Sequence, residues 1–361
     1  MTRDFLPVSR RLPKLSWPSL MIGLVAMVLL LLPFVFSNPV LLDLMVLIFV
    51  YAGLAQAWNI LGGYAGQISL GNAVFFGVGA YTSTALVRDA QIVPWIGGLA
   101  GSFLAVILAL IIGYPVFRLR GHYFAIATLA IGEIAVAVAS DINLIGGASG
   151  LTIPFVRDAS GRPTDSWLWL QFNQDRLPYY FIAFILMVFC VLVTILLDRT
   201  KPGFYLRAIK DDQDAARSLG VHVLRYKQLA FALSAALTAL IGTFYAQYIL
   251  FIDPPSTMGL NLSVLISLIA ILGGVGTIWG PIIGAAVLIP LGEVTRAEFG
   301  GAGAIELMIY GGLVVLISVV QPSGLMGLGQ RIRHRRAPLT EPEARAAGAS
   351  SSQEKPHATL D

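Results

Sequence analysis

The 361-residue sequence is 57% hydrophobic and only 12% charged, with a mean hydropathy of +0.78. That is more apolar surface than a soluble core of this length can bury, so the sequence reads as a polytopic membrane protein. The formal charge of +4 does not argue for nucleic acid, because Lys and Arg collect in the cytoplasmic loops of membrane proteins. The single cysteine, Cys190, excludes an intrachain disulfide and, within an apolar run, reads as lipid-facing or core packing.

Residues 1–19 carry Arg3, Arg10, Arg11 and Lys14 and precede an uncharged run from Leu20 to Phe36, which predicts a first span with its N-terminus inside. No small-x-small site follows that run, so a cleaved signal is not favoured. Leu44 to Val87 contains no charge and is long enough for two crossings of about 20 residues. The stretch GGYAGQISLGN, Gly62 to Asn72, divides them. Ala90 to Phe117 predicts a fourth span, and Gly121 to Ser140 a fifth that holds Glu133. Residues 141–178 bring Pro, Gly and charge and read as an external loop, with Trp167 and Trp169 as interfacial anchors. Leu177 to Leu197 and Gln228 to Ile252 are the sixth and seventh spans. Pro254 to Gly292 is a further 39 uncharged residues broken by GGVGTIWGP, Gly273 to Pro281, and predicts two short or re-entrant spans. Leu307 to Val320 closes the set, and the basic, Ala- and Ser-rich tail 321–361 is too polar to fold.

The expected fold is therefore an all-α bundle with a permease domain over 20–320, about ten spans and both termini cytoplasmic. Charge supports that orientation. Of the 24 Lys and Arg, 19 fall inside: four before the first span, Arg118 and Arg120, seven in the segment 198–227 and six in the tail. Only Arg88, Arg157, Arg162, Arg176 and Arg296 fall outside.

Segment 198–227 is the one long charged run between apolar segments. Within it Asp211 to Gly220 predicts a short helix: Asp211 as N-cap, Asp214 in the first turn, Arg217 in the last and Gly220 at the left-handed terminus. Ala215, Ala216 and Leu219 give it a small apolar face. Spacing alone leaves two readings open, a helix that docks into a partner's groove and a solvated linker.

The segment DAARSLG matches the acid-Ala-Ala-x-x-x-Gly core of the coupling loop in ABC importer permeases, with Asp214 where Glu is usual and without the Ile-x-Leu-Pro ending. More widely the chain resembles branched-chain amino acid permeases of the LivM type. Five blocks carry the resemblance in order: Gly62 to Ser83, Arg120 to Ile134, Gly146 to Pro154, Leu206 to Ala235 and Leu272 to Ala285. The resemblance implies a transport subunit that is not itself an enzyme, with no catalytic residues, metal or cofactor. ATP would be bound by two separate cytoplasmic subunits, alongside a second homologous permease and an external substrate-binding protein. No GxxxxGK[ST] motif occurs in the sequence, in keeping with a motor on other chains. The coupling role carries over to Asp211, Asp212, Asp214, Ala215, Ala216, Arg217 and Gly220. Related permeases serve urea, short amides and aromatic acids as well as branched-chain amino acids.

A broken helix at membrane depth is tolerated where protein or a water-lined cavity satisfies its backbone, and such breaks line many transport routes. That makes Gly66, Gln67, Ser69 and Asn72 in the first break, and Gly273 and Gly274 in the second, candidates for the substrate path. Close helix packing through glycine is the other reading. The similarity of the two breaks hints at an internal repeat. Glu133 is the best candidate for an ionisable residue inside the bilayer; such a group faces a bundle interior or water, and the other reading is a Glu satisfied by a neighbouring hydroxyl or protonated. A stand-alone secondary transporter or channel would carry more intramembrane charge, and a membrane-embedded enzyme would need a paired acid, base or metal set that the sequence lacks.

Overall fold

The computed structural model describes residues 38–157, 162–173 and 175–299, with residues 33, 308, 311, 312 and 324–326. All but residue 33 of the expected first span (20–36), nearly all of the last (307–320), segment 1–19 and most of the tail lie outside the described residues.

Eleven α-helices make up the described chain: α1 (Pro39–Asn59), α2 (Ala73–Ala90), α3 (Pro94–Val116), α4 (His122–Asp141), α5 (Leu177–Asp198), α6 (Lys201–Asp211), α7 (Gln213–Ser218), α8 (Val223–Ile249), α9 (Pro254–Met258), α10 (Leu260–Gly273) and α11 (Gly280–Phe299). Local chemistry sets the ends: Asn38 accepts from the Val40 N–H (3.0 Å) ahead of Pro39 in the first turn of α1. Asp253 caps α9. A π-helical turn, Ile60–Tyr64, extends α1. Seven of these segments are long and apolar enough to cross a membrane, α1 with its π-turn and α9 with α10 each counting as one. The chain is a multi-pass membrane protein. The seventh predicted span starts earlier than its uncharged run, at Val223, because Arg225 and Lys227 are taken into the first turns of α8.

α1 is the central helix, buried from Ala52 to Asn59, and packs on α5, α8, α10 and α11. Phe49 meets Tyr180 and Phe184 of α5 edge-on, with ring centroids 5.1 and 5.4 Å apart. Helices α2, α3 and α8 form a tight group. A Cβ on Gly79 of α2 would strike the backbone of Ala239 in α8, and Gly101 of α3 approaches the same glycine. Cys190 is buried in the core. By contrast, α3 and α5 turn large apolar side chains outward, among them Phe103, Ile111, Ile185 and Leu196, each over 60% exposed. A water-soluble chain does not present such faces, and a bilayer covers them.

Contacts sort the loops into two ends. At one end Arg176 pairs with Asp43, which also accepts from the Tyr248 hydroxyl (2.9 Å). There too Arg88 donates to the Leu144 carbonyl (3.1 Å) and Trp95 to that of Trp167 (3.0 Å). The loop 142–176 is pinned at this end by a two-stranded antiparallel pair, β1 (Leu151–Thr152) against β2 (Phe251–Ile252). At the opposite end lie α6, α7, Arg120 and both glycine breaks.

Candidate functional site

The segment between α5 and α8 is an elbow of two helices. α6 was not expected; Pro202 in its first turn and the inward stripe Gly203, Leu206 and Ile209 make it helical. Arg207 pairs with Asp198 and lies 5.6 Å over the Tyr64 ring, which ties α6 to the π-turn.

The short helix α7 follows, and its cap is one residue later than predicted. Asp211 ends α6, while Asp212 is extended and its Oδ1 accepts from the N–H groups of Asp214 (2.8 Å) and Ala215 (3.0 Å). Both aspartates have capping chemistry, and the preceding helix decides between them. The other end is as expected. Gly220 is left-handed (φ +85°), its N–H reaches Arg217 O (3.0 Å), and Val221 N–H reaches Ala216 O (3.1 Å), the paired bonds of a Schellman terminus.

The expected apolar face of α7 is divided. Ala216 is buried against Ile209 and Val223, whereas Ala215 is exposed and Leu219 is 86% exposed. The division follows from helical angle: residues 215 and 216 are about 100° apart, and α6 and α8 cover only one side. Beneath α7 the buried Lys227 of α8 donates to Gln213 Oε1 (2.8 Å). On the outer side Arg120, just before α4, grips Asp214 through both guanidinium nitrogens at 3.1 and 3.2 Å, with Arg217 at 3.7 Å. Gly121, between Arg120 and α4, has φ +57°.

The first glycine break runs from the π-turn to Asn72, and protein satisfies its backbone. Trp58 donates to Ser69 O (2.8 Å), Leu70 N–H to Thr128 Oγ1 (3.0 Å) and Ala73 N–H to Ser263 Oγ (2.9 Å). Asn72 donates to Thr238 (3.1 Å) and accepts from Ser234 (3.4 Å). Of the predicted route residues here, Ser69 and Asn72 are buried, the Ser69 hydroxyl accepting from Gly71 N–H (3.4 Å) and the Asn72 amide spent on the bonds above, while Gly66 (φ +67°) is exposed and Gln67 is half-buried. The second break leaves Gly273 and Gly274 buried, packed against the backbone that opens α11.

One residue that sequence reading passed over joins the two breaks. Asn59, fully buried at the end of α1, donates to Thr277 O (2.9 Å) and accepts from Gly276 N–H (2.8 Å). Lys210 of α6 covers both: a Cβ on Gly66 would sit 3.1 Å from its Cγ, and one on Gly276 3.1 Å from its Nζ. A polar side chain just before a Gly-Gly pair in an uncharged run was the available signal. Glu133 lies on the exposed side of α4, away from both breaks' buried bonds. Among the described residues no group of His, Cys, Asp and Glu is arranged to hold a metal.

Residues 40–318 match the family model of the branched-chain amino acid transport system permease component. The chain is 29% identical over 338 residues to the high-affinity branched-chain amino acid transport system permease protein LivM of Escherichia coli K12, covering 90% of this chain and 76% of that one. It is 30% identical over 300 residues to the LivM protein of Salmonella typhimurium, covering 79% and 69%. To the LivH permease of the same organism it is 22% identical over 287 residues, covering 77% and 91%. The chain belongs to the family of branched-chain amino acid transport system permease components.

Proposed function

We propose that the chain is a membrane-spanning subunit of an ATP-driven importer of branched-chain amino acids, and that the elbow α6–α7 is where it receives the motor. The exposed Leu219 on a doubly capped helix carries the reading. A six-residue helix is too short to persist unaided, yet here Asp212, the Gly220 terminus and the buried Ala216 hold it firmly while Ala215 and Leu219 stay exposed on its outer side, beside Asp214 and Arg217. A groove on an ATPase subunit would bury that side.

In this reading the partners are two cytoplasmic ATP-binding subunits, a second homologous permease and an external substrate-binding protein. The chain has no cofactor of its own, sits in the bacterial inner membrane and binds no nucleic acid. About ten crossings follow from the uncharged runs, and the charge count then sets both termini and the elbow in the cytoplasm; the sorting of loops into two ends supports this reading. Motion of α7 passes to α4 through Asp214, Arg120 and the Gly121 joint, and to both breaks through α6 and Lys210. The test is uptake of labelled leucine by vesicles containing the assembled transporter, with urea and benzoate as competitors. ATP-dependent leucine uptake is expected; uptake driven by an ion gradient without ATP would refute the assignment.

A further inference from the structure

The outward side of α4 differs from those of α3 and α5. On α3 and α5 the exposed residues are large and uncharged, as lipid requires. α4 is the least buried of the seven candidate spans, with 22% of its apolar window covered. Of its buried stripe, Phe124, Thr128, Gly132 and Ala139, the middle two meet the first glycine break at Leu70 and Gly71. The open side carries Tyr123, Ile126, Ala130, Glu133 and Ala137, spaced alternately three and four residues apart. That spacing sets them in one stripe, a seam along the helix, with Ile134 and Val138 exposed beside it, and its two alanines leave room next to the carboxylate. Glu133 is the twelfth residue of a 20-residue helix, so it lies near mid-span. No hydrogen bond or ion pair holds it among the described residues. A carboxylate at that depth cannot be left to hydrocarbon, and ionisable groups there face protein or water.

We infer that this side of α4 is one wall of the substrate route, completed by the second permease subunit, and that the Glu133 carboxylate is the station for the ammonium group of the passing amino acid. The inference rests on the permease reading above and deepens it by naming the charged group the substrate meets. A zwitterion entering an apolar corridor loses hydration at both charges, and a fixed carboxylate offsets that loss at the ammonium. Neutral solutes such as urea or amides can donate hydrogen bonds to it but bring no positive charge, so they gain less. Glu133 therefore favours amino acids over urea or amides.

The test uses the assembled transporter in proteoliposomes, with cysteine placed on the seam by Ala130→Cys or Ala137→Cys. Cys190 is buried and stays as an internal control. Both new thiols are expected to react with a cationic, water-soluble trimethylammonium methanethiosulfonate. They should react about fivefold faster with it than with the anionic sulfonate analogue, after correction for intrinsic reactivity. Glu133→Gln should abolish that preference, and leucine should protect. Phe103→Cys, on the lipid side, is expected to stay unmodified. Glu133→Gln should also lower leucine uptake more than tenfold while ATP hydrolysis continues, with partial recovery in Glu133→Asp. Seam thiols as inert as Phe103→Cys, a charge preference that survives Glu133→Gln, or unchanged uptake in Glu133→Gln would each overturn the inference. Failure of the permease reading is seen separately, as ATP-independent uptake by the unaltered protein.

Discussion

Replacing Leu219 by alanine separates a docking helix from a linker. In the free chain the side chain is 86% exposed and outside the three-residue cluster beneath α7, so its loss removes almost no internal contact and stability should change by less than about 0.5 kcal/mol. If a partner's groove closes over it, burial of a leucine is worth about 1.5–3 kcal/mol. Taking about 2 kcal/mol as lost on truncation, the ATPase subunits should bind about 30-fold more weakly. The measurement is the Kd of the ATPase subunit for the permease in nanodiscs, beside the thermal midpoint of the permease alone. A weakened complex with an unchanged midpoint is expected. A Kd within twofold of the unaltered protein, with normal ATP-driven uptake, would show that α7 is a solvated connector.

Four further outcomes are expected. Asp212→Ala removes both cap bonds and should cost about 1 kcal/mol locally, read as faster amide exchange at Ala215, while Asp211→Ala leaves that amide unchanged. Gly220→Ala meets no neighbour within 4 Å, so its cost is purely the left-handed backbone, about 1–2 kcal/mol, with Gly220→Asn milder in the same exchange measurement. Ala216→Arg forces a guanidinium into the Ile209 and Val223 cluster and should open the elbow to limited proteolysis, whereas Ala215→Arg keeps the elbow intact and blocks ATP-driven uptake. Asn59→Ala strips partners from Gly276 N–H and Thr277 O and should lower stability by about 2 kcal/mol or more, seen as a reduced thermal midpoint in detergent.

The parts of the site written in local chemistry were legible in the sequence. Gly220 was placed at a left-handed terminus because few other residues tolerate that backbone, and the breaks were found because Gly-Gly pairs stand out in uncharged runs. The cap was misplaced by one because Asp211 and Asp212 are chemically equivalent, and only the unrecognised α6 assigns the first of them to a helix end. The Asn59 clasp was out of reach: its partners lie 217 and 218 positions away, and one sequence carries no sign of which distant backbone a buried amide meets. Likewise, hydropathy placed Glu133 in a span without saying which way it points, since direction depends on what packs over Thr128 and Gly132.

The strengths of the contacts around α7 decide which joint can move. Beneath the helix, Lys227 is buried and its bond to Gln213 is charge-assisted, a class worth about 1.5–3 kcal/mol, and Ala216 adds apolar burial. Above it, the Arg120–Asp214 pair has side chains 59% and 66% exposed, and such pairs contribute about 1 kcal/mol or less. In the proposed coupling, a load on Leu219 therefore leaves α7 seated on α8, while the exposed two-point hold on Arg120 can pivot without breaking. Gly121 then lets α4 follow without distorting the elbow, because its positive φ places the chain where a glycine rotates at little cost. In that reading the exposed pair is the joint, and α4 is the helix that carries Glu133.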